Sequence, residues 1–533
     1  MRETANVEVV DLLVIGGGIA GGSCALRAAD RGLNVLTVVK ASNPRNTATE
    51  WAQGGIVSEG DEDPPELLVE DILEAGDHIG WPEAAEQLAT MGPDLVMELL
   101  VNRLRVPFDR EPNGDMAKGV EAAHSRSRIL HVGDATGYAI QQKLTEALEA
   151  HERIDVVTAH MAVDLITRSH HDPDPSRAYA PDRVLGAYVL DENTGAVKTV
   201  LARCTVLATG GLGHIFLHTT NPPSATGDGV AMAFRAGLPI RNLEYVQFHP
   251  SAFFSAQGDR FLISEAVRGE GAWLLNSRGE RFMERYSPDQ LELAPRDELA
   301  RAIHEEMAAT GHPCVYLDLA NHHREGLDIA ERFPQIHAFL RSRHLDLASD
   351  PIPVVPAAHY SCGGVLVDLD GKVPDVRGLY AVGEVSCTGL HGANRLASTS
   401  LLEGLVWGWK AGAACVGDVE AGASKELDPV YARIPAWDSA GSEDEVDPVL
   451  FQQDWNSIRS TMWNYAGIVR TRRRLKRACD DLGYLGHRIE RFYRSTRLSR
   501  ELLELRNGIV AARSVAEAAR RNTVSRGCHY LRE

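Results

Sequence analysis

The chain has 533 residues, 44% of them hydrophobic, and a net charge of −19. That length predicts two to four domains around a large core, and the acidic balance argues against nucleic acid as a partner. No apolar run reaches the roughly 18 residues of a transmembrane helix, and the 8 cysteines are scattered without Cys-x-x-Cys pairs, which argues against disulfides, zinc and iron–sulfur clusters. The start, Met1 to Asn6, shows no signal-peptide pattern. Reduced thiols, no membrane partner, no metal and a cytoplasmic location are therefore the expectations.

Val9–Ile15 is an apolar run fit for a buried parallel strand. It leads into Gly16, Gly17, Gly18, Ile19, Ala20 and Gly21, then into the helix-like Ser23–Asp30 and a second strand over Gly32–Val39. Strand, Gly-x-Gly-x-x-Gly, helix and strand in that order predict a dinucleotide site, because the glycines let the backbone approach a pyrophosphate at a helix start. The acid that would hold a ribose at the end of the second strand is missing, and Lys40 stands there instead. Further along, His170–Asp182 reads as a polar, proline-rich loop between strands. Thr205–Gly211 is an apolar strand ending in Ala-Thr-Gly-Gly, and Gly378–Glu384 is a short buried strand ending in Gly and an acid.

The segment His391–Gly404 then places Arg395 beside that strand and starts a helix at Ser400 and Leu401. Helix starts favour anionic or electron-rich groups, and Arg grips a planar carboxylate by two parallel hydrogen bonds. A cofactor terminus close to a carboxylate clamp points to a redox enzyme acting on a small acid. Asp438–Pro448 is an acidic, turn-forming linker. From Phe451 onward the chain holds 18 Lys+Arg against 8 Asp+Glu, a net +10 against −29 for the remainder. Apolar residues at helical spacing, as in Leu502–Ala512, predict a small helical bundle there. The basic run Arg472–Arg477 reads first as a solvated face, and alternatively as a dock onto the acidic body.

The motifs together carry a resemblance. Ala-Thr-Gly-Gly at 208–211 is the signature of two-dinucleotide-binding flavoproteins, and Ala48, Thr49, Glu50, Trp51, Ala52, Gln53, Gly54 and Gly55 resemble the stretch that lies along the isoalloxazine in one subfamily. With Glu121–Ile129, Asp134–Gly137, Thr220–Pro222, Gly227–Gly229, Gln247–Pro250, Glu265–Gly271, Leu293–Asp297, Pro356–Gly364 and His391–Gly404, the chain resembles the fumarate reductase and succinate dehydrogenase flavoprotein superfamily from about Asp11 to its end. His391–Ser398 is closer to the L-aspartate oxidase family than to the respiratory dehydrogenases.

The resemblance implies an α/β fold: a discontinuous Rossmann-like FAD-binding domain, an inserted α+β capping domain and a C-terminal helical bundle. The expected boundaries are 1–242 and 355–425 for the FAD domain, 243–354 for the cap and 430–533 for the bundle. FAD would be non-covalent, because Ala48 stands where respiratory relatives carry the histidine that bonds it. Asp228 and Glu384 join the cofactor contacts. Arg395 and His359 would hold one substrate carboxylate. His249, with Gln247, Ser264 and Glu265 nearby, would hold the other. Glu121 would meet the amine, and Arg296 would move a proton while the Cα hydride passes to the flavin. The implied reaction is FAD-dependent oxidation of L-aspartate to iminoaspartate, with reoxidation by O2 (giving H2O2) or by fumarate (giving succinate), the first step of quinolinate and NAD synthesis. Because iminoaspartate is unstable in water, coupling to quinolinate synthase fits, though no sequence feature shows contact.

Taken residue by residue, blander readings stay open. His249 could cap a turn, Ser264–Glu265 could open a helix, Arg296 could pair with Asp297 or Glu298, Arg395 could be a structural ion pair and Glu121 a helix-face acid. Ala122-Ala123 replaces the family's Gly-Gly, so added methyls would strain the loop if those positions need positive φ. A soluble fumarate reductase or succinate dehydrogenase subunit and a non-enzymatic flavoprotein are the rival readings.

Overall fold

A computed structural model of the chain describes residues 7–533, apart from 122, 173, 175, 177, 178, 180, 257, 259, 324, 325, 327, 423–430, 432, 439, 440 and 442–446. Ala122, part of the His170–Asp182 loop and most of the acidic linker therefore lie outside the described residues.

The first apolar run forms the strand Val7–Ile15, the spine of the main sheet. It pairs in parallel with Val35–Val38 on one side and with Ala196–Leu207 on the other. Leu12, Leu13 and Val14 are fully buried, so the second half of the strand is continuously apolar and does not alternate. Ala196–Leu207 is shared: its start pairs antiparallel with Asp182–Asp191, and its end pairs in parallel with Leu379–Ala381. The register sets Ile15, Val38 and Leu207 level. Gly16, Val39 and Ala208 thus leave the sheet at one carboxyl edge, where open α/β sheets take their ligands. Two expected strands prove shorter, Val35–Val38 within 32–39 and an end at Leu207 within 205–211. In the second case the chain turns off the sheet through Gly210, at φ 72°.

The first helix, Ile19–Asp30, begins four residues before the expected Ser23, because Gly18 itself, in extended backbone, opens it. The helix Ser400–Ala421 packs on it. Their contact is lined by Gly404, Gly408 and Gly412, which share one helix face. A Cβ on Gly408 would lie 2.2 Å from Ser23 Oγ, and one on Gly412 would lie 2.6 Å from the Cys24 carbonyl oxygen. The two backbones therefore meet almost directly, which fixes the glycine motif against the start of the helix that follows Arg395.

A second, four-stranded antiparallel sheet runs Val246–Phe253, Ile352–Ser361, Val315–Asp318, Trp273–Leu275. With the helix Arg296–Thr310 it encloses a hydrophobic cluster of its own, including Ile263, Leu274, Phe282, Ile303 and Val354. The strands by which the chain enters and leaves this unit pair with each other, with register shifts beside His249. Asp134, from the body, accepts the Gln335 and Ile336 N–H groups at the start of the helix Pro334–Ser342, at 2.9 and 3.1 Å.

Three long helices, Pro448–Ala466, Arg472–Ser495 and Arg500–Arg521, make up the C-terminal part. Leu475, Ala478, Leu482, Leu485 and Ile489 form the buried stripe of the middle one. The basic run at its start stays largely outside, with Arg477 paired to Asp481 on the same helix. The dock onto the acidic body is made instead by the last helix, through Arg506–Asp164 at 3.0 Å and Glu504–Lys40 at 3.0 Å. Among the described residues no helix is long and apolar enough to cross a membrane.

Gly408 gives a direct stability test. Alanine would normally improve a helix interior by up to about 1 kcal/mol. Here its methyl collides with Ser23 and the Ala20 carbonyl, and overpacking of this kind costs about 1–3 kcal/mol. Gly408→Ala is therefore expected to lower Tm in thermal unfolding; an unchanged or raised Tm would show that the helices part freely.

Candidate active site

Between the carboxyl edge of the main sheet and the second sheet lies a cleft with about 1740 Å3 of empty space, part of it open to solvent. One end is built from close backbone. Gly16, at φ 120°, has no room for a side chain, since a Cβ would sit 2.1 Å from the Ala208 carbonyl oxygen. Thr49 Oγ1 accepts the first helical N–H, of Ile19, at 3.0 Å and so ties the 48–55 stretch to the glycine turn. Gly211 faces Glu384, whose Oε1 would be 2.1 Å from an added Cβ and which accepts the Ser361 N–H at 3.0 Å.

These residues fit FAD. The wall is glycine backbone, the buried Gln53 Oε1 has no protein partner, and the helix starts at Ile19 and Ser400 reach the same cleft. Lys40 lines it too, but its ammonium pairs with Asp228 at 2.7 Å and Glu504 at 3.0 Å. Lys40 is thus neutralised by two acids from elsewhere in the chain. Of the cofactor residues expected from the sequence, Gly21 and Glu50 lie outside the lining. Gly21 instead packs on the Gly16 carbonyl, 2.0 Å from where its Cβ would be.

At the other end the cleft gathers Glu121, His249, Ser264, Glu265, Arg296, His359 and Arg395. His249 stands in the strand Val246–Phe253 and not at a turn. Its Nδ1 accepts the Ser251 N–H at 3.2 Å, leaving Nε2 as the protonated nitrogen. His359, on the neighbouring strand, contacts Thr220 Oγ1 through Nδ1 at 2.7 Å, and the two imidazoles lie 5.2 Å apart. Burial first, then nearby arginines (Arg296 on His249, Arg395 on His359), hold both well below the usual histidine range. Both are therefore neutral hydrogen-bonding groups, and positive charge comes from the arginines.

Arg296 pairs with neither Asp297 nor Glu298. Its Nε meets Glu265 at 2.8 Å, and Glu265 also lies 3.5 Å from the buried Arg268. Asp297 is taken by Arg301 at 2.8 Å. Ser264 caps the short helix Glu265–Gly269, accepting the Ala266 N–H at 3.3 Å. Arg395 has no acid on it. It bonds Ser400 Oγ at 3.1 Å and Gln247 Oε1 at 3.2 Å, lies over the Tyr360 ring at 4.8 Å, and keeps a buried Nε without a partner. Gln247 is fully buried behind the lining, where its Oε1 also accepts from Arg296 at 3.3 Å.

Glu121 is no helix-face acid. It lies in a loop, accepts from Ser398 Oγ at 2.8 Å, and fits against Gly54, where a Cβ would come within 3.0 Å of its Oε1. Burial, then the Glu265 carboxylate, push its carboxyl above the usual range, against the pull of Arg296, Ser398 and Arg395. Ala123, two residues on, does adopt positive φ, at 65°. Ser398 and Thr220, which hold Glu121 and His359, were not singled out as site residues, although both fall inside motifs quoted from the sequence. Hydroxyls buried in glycine- and asparagine-rich turns were the available signal.

The geometry has counterparts in known proteins. The FAD binding domain family matches residues 11–401, and the fumarate reductase flavoprotein C-terminal family matches residues 455–533. The chain is 43% identical to L-aspartate oxidase 1 of Ralstonia nicotianae over 98% of this chain and 95% of that protein. It is 44% identical to L-aspartate oxidase of Halobacterium salinarum, covering 98% and 97%. Among solved structures, a mutant E. coli quinol fumarate reductase superposes with a TM-score of 0.87 at 27% identity, covering 99% of this chain and 92% of that one. Mycobacterium smegmatis Sdh1 in complex with UQ1 gives 0.81 at 29%, covering 99% and 89%. Fold and site thus define a flavin-dependent oxidoreductase of the fumarate reductase and succinate dehydrogenase type. Within that class, the chain belongs to the L-aspartate oxidase family.

Glu384 offers a pH test. Burial raises its carboxyl to about 7, opposed by the Ser361 N–H and Arg395. An acid whose pKa rises on folding keeps its proton longer in the folded state, so it costs stability as pH climbs from its unfolded value, about 4.3, to about 7, and not below. In the cofactor-free protein, Glu384→Gln should raise stability at pH 8, on the order of 3 kcal/mol, and leave it unchanged near pH 4. Equal shifts at both pH values in thermal melts would contradict the assignment.

Proposed function

We propose that this chain oxidises L-aspartate to iminoaspartate, with Glu121, His249, Arg296, His359 and Arg395 as the residues that meet the substrate. The observation that carries the reading is two guanidiniums, Arg296 and Arg395, sharing the end of a flavin-sized cleft with two carboxylates. Of these, Glu265 is already paired with Arg296, and Glu121, bonded to Ser398, has no arginine on it among the described residues. Two arginines answer a dianion. Glu121 answers an ammonium, the feature that separates aspartate from succinate. Its raised proton affinity also means that an arriving ammonium would favour the ionised form.

FAD, held without a covalent bond, supplies the redox chemistry: when bound it accepts the Cα hydride and passes the electrons to O2, giving H2O2, or to fumarate, giving succinate. The protein supplies position and charge. Arg395 and the neutral His359 hold one carboxylate, and His249, with Ser264 and Glu265 close by, orients the other. Arg296 handles the proton. Guanidinium is a poor base by itself, and its contact with Glu265, itself beside Arg268, provides a relay. Gln247 acts from behind, by fixing both arginines.

We further propose the division into a FAD domain (1–242 and 355–425), a cap (243–354) and a helical domain (430–533). The separate hydrophobic cluster of the second sheet supports it. Cap closure would exclude water from the reacting centre. The same reading puts the chain in the cytoplasm, at the first step of NAD synthesis, with the unstable imine passed to quinolinate synthase.

Anaerobic addition of aspartate should bleach the flavin absorbance of the holoprotein; a spectrum that stays oxidised would refute the reading. Acid precipitation should leave the yellow colour in the supernatant, since Ala48 offers no nucleophile. Arg395→Leu removes a charge-assisted contact worth roughly 1.5–3 kcal/mol. Aspartate and succinate binding should weaken together by about 10- to 100-fold, with normal FAD content. If FAD is lost and dicarboxylates still bind, Arg395 is structural.

Glu121→Gln keeps the shape and removes the charge. Aspartate oxidation should fall by at least about tenfold, while fumarate reduction in the same preparation stays level or improves. An equal fall in both would reassign Glu121 to general catalysis or to structure.

A further inference from the structure

The end of the chain returns to the active site from behind. Tyr530–Leu531 pairs in parallel with Val469–Arg470, and the fully buried Arg470 donates to His529 Nδ1 at 2.6 Å and to the Glu244 carbonyl at 2.8 Å. So anchored, the tail lies against the clamp segment. The Cys528 N–H donates to the Ala393 carbonyl at 3.0 Å, and its thiol donates to Asn394 Oδ1 at 3.3 Å. Gly527 lies so close that a Cβ would come within 2.7 Å of the same Ala393 oxygen.

Asn394 and Asp297 are the chain neighbours of Arg395 and Arg296, and they touch, Nδ2 to Oδ1, at 3.4 Å. Arg301 grips Asp297 at 2.8 Å and the Gly527 carbonyl at 3.2 Å, with Tyr530 beneath its guanidinium at 5.2 Å. Asn394 Oδ1 also accepts Gln247 Nε2, at 2.7 Å, and the Arg395 carbonyl accepts it at 2.8 Å; the two bonds together turn Gln247 Oε1 towards both arginines. An amide can flip, and only its hydrogen-bond partners fix which end is oxygen. Cys528 is thus the first donor of a chain that runs through Asn394 and Gln247 to Arg395 and Arg296. Burial keeps the Cys528 thiol well above its usual range, so the proton stays on sulfur.

We propose that the tail segment Gly527–Tyr530 is a positioning strap for the two substrate arginines: Cys528 on the oxygen of Asn394 and the Arg301-held Asp297 on its nitrogen hold that amide where it supports Gln247. The proposal rests on the reading of Arg395 and Arg296 as carboxylate-holding groups. It makes Cys528, Asn394 and Arg301 positioning residues, none of which lines the cleft.

The test compares full-length holoproteins: wild type, Cys528→Ala, Cys528→Ser, Arg301→Met and Arg395→Leu. FAD content, succinate affinity from the flavin absorbance shift, and kcat and KM for aspartate are measured for each. Losing one neutral donor should raise the succinate Kd and the aspartate KM of Cys528→Ala by about 3- to 10-fold, with kcat less affected and FAD content unchanged. Serine restores a donor, so Cys528→Ser should lie within about twofold of wild type. Arg301→Met keeps the stem over Tyr530 and should shift KM the same way, which guards against a folding defect peculiar to the thiol site. If alanine and serine behave alike, or if FAD content falls with affinity, the strap is merely structural and the proposal fails. Should Arg395→Leu bind succinate normally, the reading of the clamp fails instead, whatever Cys528 does.

Discussion

Two guanidiniums face one buried cleft, and the arrangement around them follows from that. Arg296 and Arg395 carry like charge, and both lean on the same carbonyl, Gln247 Oε1, at 3.3 and 3.2 Å. Arg296 has Glu265 as a counter-charge; Arg395 has only Ser400, Gln247 and the face of Tyr360. Burying a charge without a partner is expensive. On the proposed reading, a substrate carboxylate supplies that partner. The positive charge also adds to the burial that keeps His249 and His359 neutral: next to two arginines, their protonation is opposed further. In a chain of net charge −19, the proposed reading has these arginines, and not the overall field, draw in an acid.

Holding two arginines in register requires backbone to approach backbone. Gly404, Gly408 and Gly412 let the helix that begins just after the clamp lie directly on the helix that begins at the glycine motif. The glycine motif and the segment carrying Arg395 are therefore joined by one close helix contact. The last helix adds a second tie, through Glu504 to Lys40 and through Asn507 to Asp228 at 2.9 Å. The last helix thus braces the cofactor end of the cleft while lying outside it.

Much of this was legible in the sequence. The strand–glycine–helix order predicted the sheet edge, and the family motifs predicted which residues meet at the far end, because contiguous motifs carry their own geometry. Long-range pairing was less visible. Glu265 lies 31 positions from Arg296 and answers it across two helices, whereas the neighbouring acids offered themselves by proximity in the chain. The glycine face of the helix Ser400–Ala421 carries no hydrophobic periodicity to announce it. The densest basic run, Arg472–Arg477, reads first as a solvated face, and its charged residues are exposed. The ion pairs to the body form instead at Arg500 and Arg506, on the helix whose other face is buried, and no sequence pattern singled those two out.

The loop bearing Glu121 shows how a local departure can be absorbed. Ala123 takes φ 65°, a conformation that costs a non-glycine residue roughly 1–2 kcal/mol. The surrounding contacts outweigh that cost. Arg128, fully buried, joins Asp71 and Asp63 at 2.8 Å each, and Asp71 also takes the Ser125 N–H and hydroxyl at 2.9 Å. Downstream of Ala123 the loop is pinned by charge; upstream, Glu121 is pinned by Ser398, itself at φ 56° in the clamp segment. Positive φ on both sides of the Glu121–Ser398 bond means that the carboxylate is presented by strained backbone from two directions. Strain of this kind persists only where the surrounding structure over-determines it. On the proposed reading the strained place is also the one where a substrate amine would be told apart from a methylene.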